Sequence, residues 1–308
     1  MAEHSYDTVN IHIDAQVTPA VMHGLDGFAE TYGDDALLRA TGWLRNLRVT
    51  VTESGTRVAG SIAVFTYGTN AVPFDFDDVG VTLDEVAHAL GLPLGDVLSA
   101  RVSRLDIGLN IPLDRPVREV VSSLVALPRT QLQTYGPGSA VIKTMTRELA
   151  FYDKGAESSK RKLDVSPSYG DGPLLRVELR YTRQVSRQFS QPVTVGLLAD
   201  RAFYDEAGNR LASAVEAVPF RPVLRITCPT TVPALRESLA ALGTEAAGGA
   251  GAVISAIGTA HDVGLLSASQ ASRQRSWLRG LGTDPALAVE SALTAALKAA
   301  VRQATLPG

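Results

Sequence analysis

Three short segments of this chain carry side chains that could together transfer a phosphoryl group. In residues 101–111 (RVSRLDIGLNI) a period of two sets Leu105, Ile107, Leu109 and Ile111 on one face of a strand and Arg104, Asp106 and Asn110 on the other. Residues 148–154 (ELAFYDK) oppose Leu149 and Phe151 to Glu148, Tyr152 and Lys154. Residues 174–181 (LLRVELRY) oppose Leu175, Val177, Leu179 and Tyr181 to Arg176, Glu178 and Arg180. A fourth segment, 9–14 (VNIHID), puts Asn10, His12 and Asp14 on its polar side. A tyrosine oxygen can attack a phosphodiester, forming a 5′-phosphotyrosine link and releasing a 3′-hydroxyl. A divalent ion held by carboxylates would polarise a nonbridging oxygen, and a lysine would offset the developing charge. The candidates for these roles are Tyr152 as nucleophile, Asp106 and Glu178 as metal ligands, and Lys154 as the cation.

Each residue also has a plainer use. A strand tyrosine commonly packs with its hydroxyl toward water, and Asp106 and Glu178 could pair with Arg104, Arg176 or Arg180. Only the constellation raises the chemical reading above these. Tyr67, Tyr135 and Tyr181 are alternative nucleophiles by spacing alone; Tyr135 precedes a Gly-Pro-Gly-Ser loop, and Tyr181 falls on an apolar register. His12 could be a strand histidine with one hydrogen-bond partner. His4, His23, His88 and His261 have no metal-ligand spacing, and the single cysteine, Cys228, reads as a small buried apolar residue.

These segments require a sheet. Residues 48–53 and 61–68 add two expected strands, separated by the turn Ser54-Gly55. The expected class is α+β: a mainly antiparallel sheet of five to six strands with helices on its apolar face, its polar face open, and a smaller helical C-terminal region. Helices are expected over 81–90, with Thr82 as N-cap and Glu85 three residues on, and over 115–124, with Asp114 before Pro116. Residues 166–173 (SPSYGDGP) read as a surface loop, and Glu206-Ala207-Gly208-Asn209, just after Tyr204, as a hairpin turn. Residues 1–226 are expected to form the chemical domain and 227–308, rich in Ala and Leu, a helical region for DNA binding or oligomerisation. Within it, 267–279 places Arg273, Arg275 and Arg279 near Trp277, ahead of a turn at 280–284 and a helix over 285–302. That pattern fits a helix-turn-helix, a basic helix packed on the core, or a homodimer surface.

The net charge of −3 excludes bulk coating of nucleic acid. The bases nevertheless crowd between Lys143 and Arg187, which predicts a local basic groove. No run of about 18 uncharged apolar residues occurs, so a cytoplasmic protein without membrane contact is expected. No G-x-x-x-x-G-K-[ST] loop occurs, so ATP is not expected to be used.

SRLDIGLNI (103–111), ELAFYDKGAE (148–157) and LLRVELRYTR (174–183) resemble, in order and approximate spacing, the core motifs of filamentous-phage replication endonucleases and related rolling-circle plasmid initiators. GSIAVFTYGTN (60–70) resembles the same family's earlier strand and Gly-Asn turn, so the similarity spans roughly residues 60–190. The resemblance implies a site-specific single-strand nicking enzyme and strand transferase acting on single-stranded or supercoiled origin DNA. It also implies a host helicase as partner, Mg²⁺ or Mn²⁺ on Asp106 and Glu178, and Tyr152 as nucleophile beside Lys154. DNA contacts are expected from Arg104, Arg176, Arg180, Lys143, Arg147, Arg273, Arg275 and Arg279. Where many such enzymes carry a His-hydrophobic-His motif, this chain has His12-Ile13-Asp14, which leaves His12 and Asp14 as additional candidate metal ligands and ranks a conjugative relaxase lower. A noncatalytic DNA-binding regulator on the same scaffold is the competing reading.

Overall fold

A computed structural model describes residues 4–32, 38–220, 240, 243–244, 250–281 and 289–305. Its strands are β1 (Ser5–Ile13), β2 (Asp26–Tyr32), β3 (Leu38–Leu44), β4 (Leu47–Thr52), β5 (Gly55–Ser61), β6 (Arg101–Pro112), β7 (Gln131–Thr134), β8 (Ser139–Lys143), β9 (Arg147–Asp153) and β10 (Leu174–Tyr181). All pair antiparallel in one sheet of ten strands, in the order β2-β3-β4-β5-β1-β6-β10-β9-β8-β7. The α+β class and the antiparallel sheet are as expected; the count of five to six strands is corrected to ten. Of the strands missed, β2, β3, β7 and β8 lie toward the two ends of the sheet, and β5 lies between β4 and β1. β2 and β7 are exposed along most of their length, so they lack the one-sided burial that alternation reports.

The apolar face is built as the alternation dictates. Val9, Ile11, Ile13, Leu105, Ile107, Leu109, Val177, Leu179 and Phe151 are all buried. The helices on this part of the chain are α1 (Pro19–His23), α2 (Ile62–Tyr67), α3 (Phe76–Ala89), α4 (Leu94–Ser99), α5 (Val117–Ser123), α6 (Lys154–Arg161), α7 (Val185–Gln188), α8 (Val195–Leu198) and α9 (Arg201–Glu216). The longest, α9, buries Phe203, Tyr204, Ala207, Gly208, Leu211, Ala212 and Val215, an i, i+4, i+8 stripe. Tyr204 meets Tyr6 edge-on at 5.4 Å and Phe76 at 5.3 Å, tying α9 to β1 and α3, while Phe189 bridges Tyr181 and Phe203.

Three local expectations are corrected. Within the strand expected over 61–68, Ser61 ends β5 and residues 62–67 form α2: Ser61 caps its start by accepting from Val64 N at 3.1 Å, and Gly68, at φ +74°, ends it in the left-handed region. Thr82 is buried inside α3, whose N-cap is Asp75 in a capping box with Asp78. The supposed hairpin turn 206–209 lies within α9, where Asp200 caps the helix start and Gly208 seats the ring of His4; a Cβ there would lie 2.6 Å from His4 Cε1.

Two compact units emerge, residues 1–220 with 297–308 and residues 221–296. The sequence boundary between 226 and 227 lies outside the described residues, as do Cys228 and residues 282–284 of the turn expected over 280–284, whose Gly280 and Leu281 are instead the last residues of a helix. In the second unit α10 (Ala250–Asp262) turns at Gly264, φ +79°, into α11 (Ala268–Leu281). Helix α12 (Val289–Thr305) brings its last turns into the first unit, where Lys298 donates to Glu216 O and Arg302 pairs with the Glu216 carboxylate. Among the described residues no helix is long and apolar enough to cross a membrane.

Candidate active site

Strand order brings the chemical segments together: β6, β10 and β9 are adjacent, with Arg180 opposite Asp106 on one side and Glu148 on the other. Arg176 is likewise opposite Asn110 and Tyr152. The polar residues of all three strands therefore share one face, as alternation predicts. That face is not open at its centre. Arg176, Glu178 and Asp106 are 1%, 3% and 2% exposed, roofed in part by the chain around Asn70, by α6 and by Tyr169.

The buried centre is an ionic network. Glu178 Oε1 accepts from Arg176 Nε at 2.7 Å and from the Tyr152 hydroxyl at 2.7 Å, while Oε2 accepts from Arg180 Nε and Nη2 at 2.8 and 2.6 Å. Arg176 also donates to Asp7 at 2.8 Å, Asn110 Oδ1 at 3.0 Å and Asn70 O at 3.3 Å. Its guanidinium packs over Gly108 of β6, where a Cβ would come within 2.3 Å of Nη2. Asp106 receives both donors of an Arg104 fork, at 3.0 and 2.7 Å. Asn70 donates to Asp7 at 2.7 Å and accepts from Lys154.

Burial drives the proton affinities apart. It pushes the Glu178 carboxyl up, but Arg176 and Arg180 outweigh it and hold the group below the usual carboxylate range. Burial pushes Asp106 up to about 7, against the pull of Arg104 and with help from the charge of Glu178. Tyr152 is raised well above its usual value by burial and then by Glu178, so its phenol is held protonated.

Lys154 corrects a further expectation. It is the first residue of α6, capped by Asp153, rather than the end of a strand, and it is buried against Asn70 and Glu157. It sits 6.0 Å from the centre of the Tyr152 ring. Arg176, expected to touch DNA, is fully enclosed. Arg147 stands opposite Tyr181, on the apolar register, and lines a cavity of about 880 Å³ against α9. Arg104, Arg180 and Lys143 keep partly exposed side chains on the polar face. Arg273 is exposed and Arg275 half-buried on α11, in the second unit, which also holds Arg279.

His12 donates to or accepts from Ser103 Oγ at 3.1 Å and pairs with Arg101 across β6, five residues and roughly 17 Å from Asp106 along the strand. His12 and Asp14 therefore do not join Asp106 and Glu178. Every oxygen of those two carboxylates already faces a guanidinium or phenol donor, and among the described residues no three His, Cys, Asp or Glu side chains form a metal-holding group. This donor set does not fit Mg²⁺ or Mn²⁺, which needs several oxygens without competing cations.

Asp7 and Asn70 are the network members that sequence reasoning missed. Asp7 lies where β1 shifts register between Tyr6 and Val9, so its face could not be read from alternation. Asn70 is positioned by the left-handed turn at Gly68.

Beside the network, a cavity of about 740 Å³ is lined by Tyr152, Tyr135, Arg118, Lys160, Arg161 and Arg180 among others. Tyr135 is 56% exposed there, its oxygen accepting from Lys143 Nζ at 3.2 Å and donating to Gln133 at 2.8 Å. No protein-family model matches the chain, and no curated protein sequence matches it.

Proposed function

We propose that this protein nicks single-stranded DNA at an origin of replication by tyrosine attack, stays joined to the 5′ end and rejoins the strand, as a rolling-circle initiator. The observation that carries the reading is the convergence of the three resembling segments, on adjacent strands, around a tyrosine hydroxyl 2.7 Å from a carboxylate and beside a cationic groove. The phenol oxygen of Tyr152 would form the new bond to phosphorus. The bond to the 3′-oxygen would break and the phenolic proton would end on that departing oxygen, with Glu178 orienting the Tyr152 hydroxyl rather than taking its proton. Arg118 and Lys160, on the wall of the cavity beside Tyr152, would neutralise charge on the phosphate. No step is assigned to a metal ion, because the carboxylates are already saturated.

A second reading of the nucleophile is favoured by one observation: Tyr135 is exposed in the same groove with a lysine donating to its oxygen. A noncatalytic DNA-binding regulator is favoured by the arginine saturation of Asp106 and Glu178. One experiment separates them. A pool of 3′-labelled single-stranded oligonucleotides is incubated with the full chain, with Mn²⁺ or with chelator, and run on a denaturing gel. The expected result is a labelled covalent adduct with wild type that Tyr152→Phe abolishes. An adduct lost only in Tyr135→Phe moves the nucleophile, and no adduct with any protein that still binds the pool leaves the regulator.

A further inference from the structure

We propose that the outer face of β3, β4, β5, β1 and β6 is a track for single-stranded DNA leading to the Tyr152 network. The destination rests on the nicking reading above; the binding surface rests on its own residues. Strand register sets two rows of side chains across these five strands. One row runs Thr41, Thr50, Arg57, His12, Arg101, each opposite the next. Its neighbour runs Trp43, Arg48, Ala59, Asn10, Arg104. At the usual strand spacing each row is about 19 Å long.

Arg48, Arg57 and Arg101 are exposed, and among the described residues no ion pair engages any of them. This distinguishes them from Arg104 and Arg180, whose charge is spent on Asp106 and Glu178. Beside the first row a cavity of about 520 Å³ is lined by Arg39, Arg57 and Arg101, with Asp14 the only acid among its lining residues. A row of cations spaced along a flat face complements a chain of phosphates better than a single anion. The Trp43 ring, 47% exposed at the end of the second row, commits the surface to a single strand, since it offers a stacking face to an unpaired base. His12 is held uncharged by burial and by Arg57 and Arg101, and can exchange hydrogen bonds with base edges. The second row ends on Arg104, which binds Asp106; opposite Asp106 stands Arg180, and its guanidinium grips the carboxylate that receives the Tyr152 hydroxyl.

The test is fluorescence anisotropy of a labelled oligothymidylate of about 20 nucleotides against the full chain over a salt series. A triple variant, Arg48→Gln with Arg57→Gln and Arg101→Gln, should flatten the slope of log affinity against log salt by roughly 2, at about 0.7 per lost phosphate contact. Trp43→Ala should weaken binding on the order of tenfold. All the altered side chains are exposed, and an unchanged circular dichroism melt in each variant is expected. A wild-type salt slope in the triple variant overturns the track, as does duplex DNA binding as tightly as the single strand, or polyglutamate competing as well as the oligonucleotide. If wild type forms the covalent adduct while the triple variant binds unchanged, the track falls and the nicking reading stands. If the triple variant loses binding while no adduct forms, the track stands and the nicking reading falls.

Discussion

Gly108→Ala is the sharpest probe of the buried network, because two effects of opposite sign compete. In the interior of a strand, alanine ordinarily stabilises relative to glycine by about 0.5–1 kcal/mol, since glycine loses more backbone freedom on folding. At this position the added methyl would lie 2.3 Å from Arg176 Nη2 and 2.8 Å from Cζ. The guanidinium must therefore leave its seat, breaking its pairings with Asp7 and Glu178, all three groups being buried. Stranding buried charges in this way costs roughly 3–5 kcal/mol. The net expectation is a loss of about 2–4 kcal/mol, which for a unit of this size lowers Tm on the order of 10 °C. Calorimetric melting of wild type and variant reads it directly. An Arg176→Met background supplies the control: with the guanidinium gone, adding Gly108→Ala should cost less than about 1 kcal/mol. A Gly108→Ala protein that melts at or above wild type would refute the argument that Arg176 needs the missing Cβ.

Two further perturbations follow from the same geometry. Burial raises Asp106 to about 7 in the folded chain, so between its ordinary value and about 7 the folded state binds more protons than the unfolded. Stability contributed by Asp106 should therefore fall as pH rises through that window and level off above it. The Tm of wild type minus that of Asp106→Asn, followed against pH, should show this decline, and a flat difference curve counts against it. Gly68→Ala tests the end of α2, where φ is +74° and no atom lies within 4 Å of the would-be Cβ. The cost should be backbone strain alone, about 1–2 kcal/mol by urea unfolding, and a neutral result would mean that α2 does not need the left-handed turn.

The sequence by itself determined strands β6, β9 and β10 and the shared face of Asp106, Tyr152, Arg176 and Glu178. Residues 101–111 and 174–181 alternate because one side packs in the apolar core and the other holds the polar network, and that difference between faces is a local, period-two signal. Local signals failed where that premise failed. At the ends of the sheet β2 and β7 are exposed on both sides, residues 62–67 became helical through a serine cap and a left-handed glycine, and β1 slips register beside Asp7. Only the tertiary structure decided that β6, β10 and β9 are neighbours, that Asn70 reaches Asp7 and Lys154 across the chain, and that Arg104, Arg176 and Arg180 occupy the carboxylates. The physical reason is that which cation neutralises which anion depends on long-range pairing and on desolvation of the whole cluster, and neither is written in the spacing of residues along a strand.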